Sequence, residues 1–273
     1  MMSKPTIDHE LVAALKRLKL GPIADTLEDR LVLADKQDLS FQQLLLLVLT
    51  DEIHRRDSSA AERRSAQAKL DPRMRLEQFD KTSKVTFDKR LLSELMSLRF
   101  IESNRHVVIL GPVGVGKTFV ATALGHVACK HGYHVRFLRA DEMLRTLRHS
   151  RLDNSRDDEM LDLTSVDLLI LDDFALEPMT KEESKDVYQL FLERTGRASM
   201  IVTSNRDTAE WISMFDDVLL AQSAVDRFKN SAFDFVMEGE SYRPRLKPKL
   251  EPDNPPPDTP SHKPKRHPRS RRR

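Results

Sequence analysis

Gly111-Pro112-Val113-Gly114-Val115-Gly116-Lys117-Thr118 is the stretch that decides how this chain folds, because it fits the phosphate-loop pattern G-x-x-x-x-G-K-[ST]. Its flanks separate it from a chance match. Before it, His106 to Leu110 contains Val-Val-Ile-Leu, a β-branched run suited to a strand buried on both faces. After it, Val120, Ala121, Leu124, Val127 and Ala128 fall on one side of a helix. Strand, glycine-rich turn and helix in that order aim successive backbone N–H groups at an anion, and the helix adds its positive N-terminal end. Lys117 is placed to neutralise β- and γ-phosphates, and the Thr118 hydroxyl to complete a Mg²⁺ shell. The candidate nucleotide-binding set runs from Gly111 to Phe119.

About fifty residues on, Leu168-Leu169-Ile170-Leu171 ends in Asp172-Asp173. An apolar run this short reads as a central parallel strand, and ligands collect where such strands end. Asp172 is the candidate Mg²⁺ ligand, usually through a water, and Asp173 the group that orients or polarises an attacking water. Tyr133 to Leu138 and Ser199 to Thr203 read as further strands, and Asp141 to Leu147 as a helix. Thr180 with Glu183 caps another helix running to Leu192. Asn205, at the end of a strand, is a candidate for touching the γ-phosphate or the water, although Asn is also an ordinary turn former. The alternation predicts a doubly wound α/β fold with a parallel sheet.

Composition divides the rest. The net charge of +2 is uneven: Arg243 to Arg273 holds eleven Lys/Arg against three acidic residues, leaving −6 on everything before it. Nine of the fourteen prolines lie there too, so residues 247–273 read as a basic disordered tail, either attracted to nucleic acid or merely solubilising. Residues 1–70 read as a small helical domain. Leu11, Leu15 and Leu18 mark one helix, stopped by Gly21-Pro22, and Ser40 with Gln43 caps the leucine-rich helix from Leu44 to Ile53. Its continuation carries Arg55, Arg56, Arg63, Arg64 and Lys69, either a phosphate-binding face or a solvated one with pairs such as Glu52–Arg56. Residues 71–246 form the nucleotide-binding domain. The lone Cys129 reads as a core residue. The apolar run Leu44 to Leu49 is too short to cross a bilayer, so a soluble, cytoplasmic protein with no membrane partner is expected.

Taken together, these residues resemble the AAA+ ATPases of the IstB and DnaC type, above all the IstB transposition helpers of insertion sequences. The resemblance spans about Leu15 to Arg245. It rests on Leu39-Ser40-Phe41, Phe100-Ile101-Glu102, the phosphate loop, Ala123 to Cys129, Gly132 to Phe137, Asp167 to Phe174, Ile201 to Asn205, Val225-Asp226-Arg227-Phe228 and Gly239-Glu240-Ser241-Tyr242-Arg243. It implies an AAA+ three-layer sandwich that binds ATP and hydrolyses it. Asn205 then looks like the first sensor, Arg227 like an arginine finger reaching a neighbouring subunit's nucleotide, and Arg243 like the second sensor. It further implies a homo-oligomer on duplex DNA and an IstA-type transposase as partner. A DnaC-like helicase loader and a non-hydrolysing ATP switch are the alternatives. Asp173 stands where many AAA+ proteins carry Glu, which keeps the switch open.

Overall fold

The computed structural model describes residues 7–79 and 84–242. Arg243 and the 247–273 tail lie outside the described residues. Three helices open the chain: α1 (His9–Arg17), α2 (Ile23–Lys36) and α3 (Phe41–Gln67). After a 3₁₀ turn come β1 (Val85–Thr86), α4 (Lys89–Met96), α5 (Arg99–Glu102), β2 (His106–Leu110) and α6 (Lys117–Lys130). There follow β3 (Val135–Arg139), α7 (Ala140–Ser150), α8 (Arg156–Ser165), β4 (Leu168–Asp172), α9 (Lys181–Arg194) and β5 (Ser199–Ser204). Finally α10 (Thr208–Trp211), α11 (Val218–Asn230), β6 (Ala232–Val236) and β7 (Glu238–Gly239) close it.

The strands β2 to β6 form one five-stranded sheet in the order β3-β4-β5-β2-β6, every pair parallel. Parallel strands need crossovers, which place helices on both faces, so the central strands β2, β4 and β5 must be apolar on both sides. They are: Val107, Ile109, Leu168, Ile170 and Ile201 pack on one face with Val120, Leu124 and Ala128 of α6. Val108, Leu169, Leu171, Met200 and Val202 face Met143, Leu147, Leu190 and Phe228 of α7, α9 and α11. This is the three-layer α/β sandwich of P-loop proteins. Cys129 is buried in the first of these layers.

Both capping boxes form as the sequence predicts, Ser40 with Gln43 at α3 and Thr180 with Glu183 at α9. The first helix ends differently. Its last residue is Arg17, and the stop is Lys19 in left-handed backbone (φ 58°), with Leu20 N–H donating to Leu15 O and Lys19 N–H to Lys16 O. Pro22 then serves as N-cap of α2, beginning a helix rather than ending one.

Ile23, Leu27 and Val48 make a small core where α2 and α3 pack. At its other end α3 belongs to the sheet. Arg64 Nε donates to Cys129 O at 2.7 Å, His126 Nδ1 lies 3.1 Å from Ser65 Oγ, and Phe137 N–H donates to Ala68 O. Leu70 packs so closely on Gly125 that a Cβ there would lie 3.1 Å from it and 2.9 Å from Ile170.

The N-terminal edge of the sheet buries an arginine and a histidine. Arg194 Nη1 donates to Leu163 O, and its Nη2 to the carbonyls of Val166, Asp167 and Ser199. His106 Nδ1 accepts from Met200 N–H at 3.1 Å, and its ring stacks on Phe228 at 4.7 Å.

Candidate nucleotide site

β2 delivers the chain to the loop at Leu110, and Lys117 opens α6, so residues 111–116 bridge a buried strand and a helix N-terminus. The glycines here are required by more than a ligand. Gly111 sits at φ 152°, and a Cβ there would lie 2.2 Å from Met237 O; at Gly114 (φ 87°) a Cβ would lie 2.1 Å from Ser241 Oγ. The segment after β6 therefore braces the loop: Met237 N–H donates to Leu110 O and Tyr242 N–H to Gly114 O, both at 2.8 Å. β7, paired antiparallel with β1, holds that segment in turn.

Lys117 is buried and its Nζ donates to Gly111 O at 2.7 Å and Pro112 O at 2.9 Å. Thr118 Oγ1 lies 2.9 Å from both Asp172 oxygens, so a hydroxyl on α6 meets a carboxylate from β4. A buried carboxylate and a hydroxyl converging beside glycine-rich backbone are the hard-oxygen donors a Mg²⁺–nucleotide takes from a protein, phosphates and waters supplying the rest. The residues fit both groups. Burial pushes the Asp172 carboxyl above its ordinary range, the Asp173 charge adds to this, and hydrogen bonds from Thr203 and Thr118 oppose it.

Thr203 was not singled out by sequence reasoning, and the structure puts it at the centre. Its Oγ1 donates to Asp172 Oδ1 at 2.5 Å and accepts from Asp173 N–H at 3.0 Å. The signal was in the register: Val202 pairs with Leu171, which sets the next residue of β5 beside Asp172. Ser204 is likewise buried, accepting from Trp211 Nε1 and donating to Phe174 O. Asn205 stands one residue beyond, exposed in the turn. Asp173 lies in left-handed backbone (φ 56°), and its half-exposed carboxylate sits 3.8 Å from Arg139 Nη1. Arg139 is the other unforeseen neighbour. It ends β3 directly across from Asp172, and Asp141 holds its Nε at 2.9 Å.

Phe119 packs edge-on against Phe79, ring centroids 5.6 Å apart. Pro112 and Val113 are exposed at the loop tip and Val115 is buried beneath it. Arg227 lies on α11, whose Val225 and Phe228 are buried. Its own side chain is exposed and has no hydrogen bond or ion pair among the described residues. The structure thus brings together Lys117, Thr118, Asp172 and Asp173, and leaves Asn205 and Arg227 facing outward. No group of three or more His, Cys, Asp or Glu side chains suited to a metal occurs among the described residues. No helix among them is long and apolar enough to cross a membrane.

Known proteins share the sequence and the fold of this chain. The chain is 38% identical over 240 residues to an ATP-binding protein in an insertion sequence of Mycobacterium tuberculosis, covering 87% of this chain and 95% of that one. It is 36% identical over 239 residues to the ATP-binding protein of insertion sequence IS21 of Pseudomonas aeruginosa, covering 88% and 90%. Among solved structures it is similar to the replication initiator DnaA bound to AMPPCP and single-stranded DNA (TM-score 0.51, 24% identity, 63% of this chain and 51% of that one). It is also similar to DnaI (TM-score 0.52, 20% identity, 60% and 90%). The last two share the fold, a parallel sheet between layers of helices. The profile of IstB-like ATP binding proteins matches residues 13–250, and the chain belongs to that family.

Proposed function

We propose that this chain is an ATP-driven, DNA-binding helper of an IstA-type transposase, assembling on duplex DNA, promoting target selection, and hydrolysing ATP to disassemble. The observation that carries the reading is the meeting of Thr118, Asp172 and Thr203 beside the phosphate loop, in a chain whose relatives are ATP-binding proteins of insertion sequences. Lys117 would leave the Gly111 and Pro112 carbonyls for phosphate oxygens. Thr118 and Asp172 would hold Mg²⁺, which supplies charge neutralisation at the β- and γ-phosphates. Thr203 fixes the Asp172 carboxylate and the Asp173 backbone, leaving the Asp173 side chain to orient or accept a proton from water. Arg227, exposed and without a side-chain partner among the described residues, suits a finger offered to the next subunit, while Asn205 is retained as first sensor and Arg243 as second. The 247–273 tail and the arginines of α3 are the cationic surfaces for DNA, residues 1–70 and 71–246 being the helical and ATPase parts.

Mixing subunits tests this. Arg227→Ala and Lys117→Ala proteins, each inactive alone, should regain ATP turnover together, because one keeps the finger and the other keeps the loop. Turnover by Arg227→Ala alone at the unaltered rate would remove the finger. One observation favours a second reading, the non-hydrolysing switch: Arg139 engages the Asp173 carboxylate. Under it, Asp173→Asn leaves turnover at its already negligible level while ATP-dependent DNA binding persists.

A further inference from the structure

The chain leaves β4 through a turn that ordinary side chains resist. Asp173 (φ 56°) and Ala175 (φ 58°) both lie in left-handed backbone, on either side of the buried Phe174, and neither is glycine. Such a conformation persists only where its surroundings hold it. Here the holding groups come from the end of β5. Phe174 N–H donates to Thr203 O at 2.8 Å, and Phe174 O accepts from Ser204 Oγ at 2.9 Å, so the middle residue of the turn is bonded at both its polar backbone atoms. Ser204 Oγ also accepts from Trp211 Nε1 at 3.2 Å and from Arg206 N–H at 3.1 Å. A serine hydroxyl has one hydrogen to donate and two lone pairs to fill, and all three are used. With Ser204 fully buried, the hydroxyl reaches a nucleotide or a water only through the groups it holds.

From this we infer that Ser204 is a positioning residue for ATP hydrolysis, its one hydroxyl setting both Asp173 and Asn205. The inference rests on the roles given to those two residues under the proposed function. The bond to Phe174 O fixes the turn that aims the Asp173 carboxylate, and the bond from Arg206 N–H closes the turn in which Asn205 stands exposed. Asp173 follows β4 and Asn205 follows β5, so one buried atom sets the relative placement of groups carried by two strands. Trp211, at the end of α10, directs the hydroxyl. Its Nε1–H fills a lone pair of Oγ, which leaves the serine hydrogen for Phe174 O, and its indole packs edge-on to the Phe174 ring with centroids 4.8 Å apart. Thr203 has the other half of the work, since its Oγ1 bonds Asp172 Oδ1 and Asp173 N–H. Losing the Ser204 hydroxyl therefore leaves Lys117, Thr118 and Asp172 with the bonds they have, so nucleotide binding and turnover should come apart.

The test is steady-state ATP turnover by the full-length chain, with Mg²⁺–ATP affinity measured by calorimetry on the same preparations. Ser204→Ala should lower kcat about 30-fold while Kd stays within about two-fold, the mark of a misplaced group rather than a lost binding contact. Trp211→Phe keeps a ring against Phe174 and removes the donor, and should lower kcat about five-fold. Because both act through one hydroxyl, the double variant should turn over no more slowly than Ser204→Ala alone. An unaltered kcat in Ser204→Ala overturns the inference, and so does a fall in kcat matched by an equal loss of affinity, which marks a merely structural residue. Multiplying effects in the double variant overturn the part given to Trp211. An unaltered chain that binds ATP without turning it over overturns the hydrolytic reading itself, and this inference with it.

Discussion

The two ends of the central sheet bury ionisable side chains at similar depth and use them in opposite ways. At the N-terminal edge, the Arg194 guanidinium is spent on the carbonyls of Leu163, Val166, Asp167 and Ser199, tying the end of α8 to the start of β5. Burial lowers its pKa to about 10, which still leaves it charged at neutral pH. At the C-terminal edge, Asp172 is held by two hydroxyls and no cation among the described residues bonds it directly, and its carboxyl is pushed up. One edge spends its arginine on the protein's own carbonyls, although Arg194 Nε and His106 Nε2 find no hydrogen-bond partner among the described residues. The other is arranged so that a ligand completes it. Stability and function thus separate along the strand direction.

That separation can be broken by experiment. The largest effect should come from Arg194→Ala, which strips donors from buried carbonyls: a loss of about 4 kcal/mol in chemical denaturation, on the scale of breaking a buried ionic network. Nucleotide affinity per folded molecule should be unchanged. Lys117→Ala should do the reverse, weakening ATP binding about 100-fold, or roughly 3 kcal/mol, with little change in the ligand-free melt. Unchanged ATP affinity there would refute the phosphate-loop assignment.

His106 gives the pH dependence of the N-terminal edge. Burial, then Arg194 and Arg105, lower its pKa from 6.5 to about 4. The folded state therefore favours the neutral ring, and stability is lost as pH falls from about 6.5 toward 4. Going from pH 7 to 5 should cost about 2 kcal/mol through this residue. His106→Asn, which retains an acceptor for Met200 N–H, should flatten that slope without moving ATP affinity. The smallest effect carries the opposite sign. Asp172→Asn should raise the ligand-free stability by about 1 kcal/mol, because the buried charge is disfavoured, while removing the extra stabilisation that Mg²⁺ adds to ATP in a thermal shift assay. A destabilised Asp172→Asn protein would mean the two edges are built alike.

Much of the fold was legible because it is repetitive. β2, β4 and β5 are buried on both faces, so their residues form continuous apolar runs, and glycine spacing marked the turn between β2 and α6. β6 escaped notice because it is an edge strand: only Phe235 is buried in Ala-Phe-Asp-Phe-Val, so neither a continuous run nor a clean alternation appears. The ribbon of β1 and β7 is two residues wide on each side and leaves no pattern at all. Within the site, Lys117, Thr118 and Asp172 follow from local motif chemistry. Thr203 and Arg139 do not, since each becomes a neighbour of the aspartates only through cross-strand register, which a single chain does not display. The stop of α1 was misplaced for a related reason. A left-handed lysine carries no compositional mark, whereas Gly-Pro does.

The brace on the phosphate loop fixes where this chain can be cut. Met237 and Tyr242 hold the carbonyls of Leu110 and Gly114, and Gly111 and Gly114 leave room for Met237 and Ser241. A protein truncated after Leu246 loses the 247–273 tail and keeps both the brace and Arg243. One truncated at Val236 loses the outer wall of its phosphate loop as well, so comparing the two separates what the terminus does for DNA from what the brace does for ATP.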